Sequence, residues 1–396
     1  MNLRVLRVLR GGEVISQPDL SCVIGFGETI SAVRAASLLI GLSLIATALW
    51  DGFETVVLPR TVTRRLRLAR IYFRVTWRSW SVVATRVRRD GRRERFLAVY
   101  GPVSLLGLLT VWAVCFIAGF ALLQWADGSR LAVERGRAGF LDDVYMSGTT
   151  FFTLGLGDVH PLSGIARVLT VGESGMGFAF LAIVIAYFPV LYQGFSRREV
   201  RLTLMDAWAG SPPAATELLR RLAAAGQLNA LDAFFRDWEY WCSELLESHI
   251  SYPALAFFRS QHQRQSWVAA LAAVLDASAF VIVGIEGIAA WQAQVTFAIA
   301  RHAAVDLTQV LHAPIDASVD RLSPVELERV RQLLEESGLR PRRSSDADAQ
   351  LAALRRSYEP FVVGLSRMLM MPAPPWRREG HVRDNWQTSP KIVDHL

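Results

Sequence analysis

The sequence predicts an all-α membrane protein, and three observations predict it. More than half of the 396 residues are hydrophobic (52%), at a mean hydropathy of +0.27, the balance of a membrane protein with a polar part attached. Two long runs carry almost no charge. Outside them, apolar residues recur at helical spacing and no strand-like alternation competes. The expected architecture is a two-helix module with a re-entrant segment between the helices (99–197). One extra N-terminal transmembrane helix and a basic cytoplasmic linker precede it (1–98). A helical cytoplasmic domain (198–371) and a disordered tail (372–396) complete the chain.

The first element is Ala35–Trp50, AASLLIGLSLIATALW, which reaches spanning length when extended to Leu58. A cleaved signal peptide is its rival, because Ala46-Thr47-Ala48 resembles a cleavage site. The region before it is too long for a signal peptide, and cleavage would export a segment that belongs inside. That segment is Arg60–Arg95, which carries 13 arginines. Such a block between spans belongs on the cytoplasmic side. Arg64, Arg67, Arg70, Arg74 and Arg78 fall at helical spacing among Leu66, Ile71, Phe73, Trp77 and Trp80. A voltage sensor would show arginines at that spacing, but a sensor needs its own bundle and only one weak span precedes this one. The favoured reading is an interfacial helix on anionic lipids over 60–95, its tryptophans at the headgroups.

Between Arg95 and Asp127 lie 31 uncharged residues, enough to cross a hydrocarbon core of roughly 30 Å with tilt. Between Arg167 and Arg197 the only charge is Glu173, and this is the second firm span. With Arg197, Arg198 and Arg201 after it, the topology is N-terminus out, linker in, 127–164 out and C-terminus in, as for a multi-pass plasma (inner) membrane protein.

The segment between the spans decides the chemistry. FLDDVYMSGTTFF, residues 140–152, is apolar but only about 18 Å long as a helix. It cannot span; it can enter and turn back if protein buries the irregular backbone beyond it. TLGLGD, residues 153–158, comes directly after it. An ion leaving water needs oxygens to replace its hydration shell. Inward-turned backbone carbonyls supply them, and alternating glycines permit that backbone because glycine tolerates positive φ and leaves the axis clear.

In this frame, Thr153-Leu154-Gly155-Leu156-Gly157-Asp158 resembles the selectivity filter of potassium channels, usually T-V-G-Y-G-D. The order span, short helix, filter, span is similar to their two-helix pore module. The likeness covers about residues 100–197. It implies that Thr153, Leu154, Gly155, Leu156 and Gly157 bind K⁺ as the permeant ion, with no cofactor and no metal beyond it. Asp158 would brace the outer mouth, with Tyr145 and Glu173 as further support. Gly172, Gly175 and Gly177 would be hinges on the pore-lining helix, and Pro189 would kink its inner end. One filter per chain implies a homotetramer. The sequence departs from the family's pattern at Leu156, where tyrosine is usual, and at Phe152, where a small hydroxylic residue is common. The paired pore-helix aromatics are Tyr145 and Met146. A filter with these residues is expected to be braced by packing, with the Leu156 side chain behind it, and its K⁺ over Na⁺ selectivity is the property most affected.

After residue 198 the chain turns polar and helical. Leu231, Phe234, Phe235, Trp238, Trp241, Leu245 and Leu246 form a 3.6-period stripe. Ser323-Pro324-Val325-Glu326 is a capping box with proline at the first helical position, and Gly338 is its stop. Trp267–Ile285 is apolar enough to span but carries Asp276, so a buried helix of a soluble domain is favoured. The tail from Pro372 reads as disordered. His249, His262, His302 and His312 with Glu247 show no metal-ligand spacing, and His160 reads as an exposed loop residue. Cys22, Cys115 and Cys242 suggest neither a disulfide framework nor a thiolate site. No nucleophile elbow, phosphate loop or paired-carboxylate motif supports an enzyme, and nucleic acid is not expected as a partner. The net charge of +7 rests on arginine, Lys391 being the sole lysine. The alternatives to a K⁺ channel without a voltage sensor are a poorly selective cation channel and a non-conducting receptor whose C-terminal domain binds a ligand or protein.

Overall fold

Helices account for nearly all the regular structure, as expected. The computed structural model describes residues 20–57, 67–88, 90–134, 136–262, 264–373, 375–378 and 384–387. Arg60, Arg64, Arg65 and Arg89 of the basic block and residues 388–396 lie outside them. Among the described residues, four helices are long and apolar enough to cross a membrane: Ser31–Val56, Gly91–Ala126, Gly164–Ala209 and Trp267–Gly284. The chain divides into two compact units, Met1–Leu49 with Trp112–Leu181, and Trp50–Val111 with Ala182–Leu396.

The first unit holds most of α1 (Leu20–Gly52), the second half of α3 (Asp90–Ala126), α4 (Phe140–Phe151) and the start of α5 (Gly164–Ala209). Glycines let α1 and α3 approach. A Cβ on Gly41 would come within 2.7 Å of the Gly119 carbonyl, and one on Gly119 within 2.6 Å of Ile45. Such small-residue crossings are how helices pack where lipid competes for apolar surface. The loops carry a two-residue ladder, with β1 (Leu131–Ala132) antiparallel to β2 (His160–Pro161). Ser163 caps α5: its hydroxyl accepts from the Ala166 amide (3.0 Å) and donates to Asp127 (2.6 Å), satisfying an otherwise orphaned helix donor.

Among its described residues the second unit contains α2 (Leu68–Arg86), the remaining parts of α3 and α5, and seven further α-helices. These are α6 (Ala215–Ala224), α7 (Ala230–Ser251), α8 (Trp267–Ala279), α9 (Trp291–Leu311), α10 (Pro324–Glu336), α11 (Ser345–Arg356) and α12 (Glu359–Leu369). The stripe from Leu231 to Leu246 is buried in full on α7. Every residue of α8 is buried too, so lipid would find no surface on it. Its Asp276 is paired with Arg321 (2.6 Å) and accepts from the Tyr358 hydroxyl (2.7 Å), as a buried charge must be. Ser323 caps α10 through the Glu326 amide (3.3 Å), and Gly338, at φ +88°, ends the turn after that helix.

The expected boundary at 197/198 lies within α5, one continuous helix of 46 residues. Two expectations are corrected here. Trp77 and Trp80 do not sit free for headgroups. Trp77 is 8% exposed, lies 4.8 Å from the Tyr100 ring and donates to the Met368 carbonyl, and Trp80 stacks on Phe96 at 4.5 Å. Their large apolar faces gain more from packing against aromatic rings than from an interface. The described part of the tail is packed rather than disordered. Trp376 is 1% exposed, with Arg355 over its ring, and Asp384 is bound by Arg221 and Arg378. A polar, proline-rich composition concealed one large apolar anchor and one buried acid.

Candidate ion pathway

The TLGLGD segment leaves α4 at its C-terminal end. Asp142 starts the helix by accepting from the Gly139 amide (2.8 Å), and Asp142 and Asp143 sit in its first turn, where the helix dipole favours acids. At the other end the chain turns sharply. The Thr153 amide bonds to the Thr150 carbonyl at 3.0 Å and the Leu154 amide to the Thr149 carbonyl at 2.7 Å. Thr153, Gly155 and Gly157 then take positive φ, +59°, +55° and +81°, with Leu154 and Leu156 between them outside that region. In an extended chain of uniform hand, successive carbonyls point to opposite sides; alternating the sign of φ turns them towards one side. Glycine takes this backbone at no steric cost, whereas Thr153 pays about 1–2 kcal/mol for it. Positive φ thus recurs at every second residue from Thr153 to Gly157.

The bracing differs from the expectation of packing alone. The Tyr145 hydroxyl donates to Asp158 at 2.8 Å, joining α4 to the residue just after the glycines. Leu156 is 64% and Leu154 63% exposed, so neither side chain packs behind the segment within its own chain. The sequence showed an acid and a tyrosine 13 positions apart, which no local spacing rule connects.

Glu173 lies on α5, is fully buried and hydrogen-bonds to Ser147 of α4. The Ser147 oxygen also lies 2.8 Å from the Ile117 carbonyl of α3. One hydroxyl hydrogen cannot serve both neighbours, so a group that can donate at position 173 suits the site. Glu173 is therefore behind the re-entrant helix and away from the TLGLGD backbone. Three phenylalanines bind the same helices: Phe116 lies 5.7 Å from Phe151, and Phe151 5.6 Å from Phe180. The three glycines of α5 are not equivalent. A Cβ on Gly172 or Gly175 meets nothing within 4 Å, whereas one on Gly177 would lie 2.0 Å from the Phe151 carbonyl oxygen. Gly177 is a contact glycine that seats α5 against the last residue of α4.

The histidines fall apart as a group. His262 lies 3.1 Å from Thr203, His302 pairs with Asp306, and His312 is the left-handed cap of α9. His249 belongs to a joint that sequence reasoning missed. Arg198, 3% exposed, donates to the carbonyls of Leu255 (3.0 Å) and Phe258 (2.7 Å) and to His249 (3.1 Å), and pairs with Glu199. In the sequence it is one of several arginines after an apolar run, and nothing local sets it apart. Because Arg198 only donates, His249 Nε2 accepts, and burial together with the nearby guanidinium holds its pKa well below the ordinary histidine value.

Residues 107–193 match a family model described as an ion channel. Among the curated proteins, an uncharacterized membrane protein of Bacillus subtilis (strain 168), YdjJ, is 26% identical over 191 residues, 47% of this chain and 54% of that protein. The chain thus spans about half the length of the curated relative it matches. No solved structure matches. Residues 107–193 thus match an ion-channel family model, in a chain whose described residues include four helices long and apolar enough to cross a membrane.

Proposed function

We propose that the chain is one subunit of a homotetrameric channel that conducts K⁺ across the bacterial plasma membrane and has no voltage sensor. The observation that carries the reading is the alternation of φ at Thr153, Gly155 and Gly157, directly after a helix too short to span and between two helices long enough to do so. In this reading the carbonyls of Thr153, Leu154, Gly155 and Leu156, with the Thr153 hydroxyl, replace the hydration shell of K⁺. Gly157 allows the exit turn, and the Tyr145–Asp158 bond holds the outer mouth. Four chains are required because one segment cannot encircle an ion. The apolar side chains of Phe152, Leu154, Leu156, Val168, Val171 and Phe178 are exposed in the single chain, and association gives them cover. Residues 99–197 form the pore domain, with Gly172 and Gly175 as the flexible positions of its inner helix. The C-terminus is cytoplasmic, and residues from 198 onward modulate opening.

A poorly selective cation channel is the second reading, favoured by Leu156, which lacks the usual hydroxyl and is not packed by its own chain. Purified protein in liposomes separates the readings. K⁺ flux well above Na⁺ flux is expected from a light-scattering tetramer. Equal fluxes support the second reading, and an assembled protein without flux leaves a non-conducting receptor.

A further inference from the structure

Asp143, in the first turn of α4, is fully buried and lies outside the four membrane-length helices. One carboxyl oxygen, Oδ2, accepts from the Ser129 hydroxyl at 2.5 Å; the other, Oδ1, is buried with no partner. A buried carboxylate needs a cation or several donors to compensate it. Among the described residues it has neither. The loop that holds Ser129 carries Asp127, which accepts from Ser163, and the exposed Arg130, Glu134 and Arg137. The last turn of α3 is uncharged. Asp142 of α4 accepts from the Gly139 amide, Glu173 of α5 bonds to Ser147, and Arg34 of α1 lies beside Gly128. None of these arginines pairs with Asp143, and Asp142 repels its charge. Burial raises the Asp143 pKa to about 6, opposed by the Ser129 bond and reinforced by Asp142. The positive end of the α4 dipole favours the anion but leaves Oδ1 without a bond.

The position of this acid gives its charge a consequence. Asp143 and Ser147 are one turn apart, hence on the same side of α4. Ser147 ties that side to Glu173 of α5 and lies 2.8 Å from the Ile117 carbonyl of α3. Asp143 ties it to the preceding loop through Ser129. Both ties act on the helix that leads into TLGLGD. Protonation removes the buried charge while Oδ2 goes on accepting from Ser129, so the neutral form seats the start of α4 better than the anion does.

We propose that Asp143 is a proton switch on the outer side, where proton uptake settles the start of α4 and raises conduction. The effect on conduction rests on the pore reading above; the proton site does not. Infrared difference spectra of the full chain in detergent, between about pH 7.5 and about pH 5, test the site. The carbonyl band of a protonated carboxylic acid should grow as pH falls through about 6 and be missing from Asp143→Asn. K⁺ current across planar bilayers, with each side titrated in turn, tests the switch. Each pKa unit by which two seatings of α4 differ changes their ratio about tenfold, so outer acid should raise wild-type current about twofold or more. Asp143→Asn, neutral at every pH, should carry the acid-level current throughout. Ser129→Gly removes the one donor to the carboxylate, and glycine accepts the φ of +50° there. Its band and current midpoints should both move to higher pH, which keeps the test open if Asp143→Asn does not fold. Absence of the band, its survival in Asp143→Asn, or unshifted midpoints in Ser129→Gly would each overturn the proposal. So would an undiminished acid response in Asp143→Asn, the result expected if the exposed His160 were the sensor. A chain without current fails the pore reading, and the band and its Ser129→Gly shift then decide the proton site.

Discussion

Replacing Gly177 by alanine tests how α5 holds the TLGLGD segment. The added methyl would lie 2.0 Å from the Phe151 carbonyl oxygen and 2.8 Å from its carbon. Ordinary contacts begin near 3.5 Å, so α5 and the end of α4 must separate by roughly 1–1.5 Å. The opposing atoms are backbone and cannot rotate away, which puts the cost towards the upper part of the roughly 1–3 kcal/mol typical of overpacking. Phe151 is two residues before Thr153, so the displacement reaches the TLGLGD backbone directly. Gly172→Ala and Gly175→Ala provide the contrast. Their methyls meet nothing within 4 Å, and alanine favours a helix by up to about 1 kcal/mol over glycine. The assay is K⁺ flux in liposomes with thermal unfolding of the same preparations. Gly177→Ala should lower both, while the other two should keep or raise the unfolding temperature. Wild-type unfolding and flux in Gly177→Ala would refute the contact; loss in all three alike would favour a hinge at every glycine.

Tyr145→Phe removes the bond to Asp158, worth about 1 kcal/mol. It should reduce flux by about as much as Asp158→Asn, and a double-mutant cycle giving no coupling would show that the bond does not brace the mouth. Glu173→Gln keeps a donor for Ser147 and should assemble normally, whereas Glu173→Ala should lower the unfolding temperature. Equal stability of the two would dismiss the buried hydrogen bond. His249 is neutral in the fold and protonates on unfolding, so the unfolded state binds the extra proton and stability falls as pH drops below the unfolded pKa near 6.5. The loss approaches about 1.4 kcal/mol per pH unit between that value and the lower folded pKa. His249→Asn should flatten the acid limb of a chemical-unfolding series, and an unchanged slope would show that another group controls it.

The helices were legible because apolar runs and 3.6-residue stripes are local patterns. Leu231–Leu246 on α7 and the Ser323 cap are where the spacing put them. The positive φ of Gly155 and Gly157 was legible for the same reason, since it follows from the residue type at each position. What the sequence hid depends on partners far apart in the chain. The Arg198–His249 joint spans 51 positions and Arg221–Asp384 spans 163, and neither leaves a periodic trace. Gly177 was visible as a glycine, but its contact with the Phe151 carbonyl emerges only when α4 and α5 are folded together. The tail misled because its prolines and charges outweighed the single tryptophan that anchors it.

The central claim is that the backbone of residues 153–157 carries the ion. Gly155→Ala tests it most directly, because a Cβ at φ +55° opposes the alternation at a cost of roughly 1–2 kcal/mol and meets no neighbour in its own chain that would unfold it. The measurement is K⁺ flux into liposomes at matched tetramer content. The expected result is flux from the wild type and none from an intact Gly155→Ala tetramer. Undiminished flux from that variant would contradict the account.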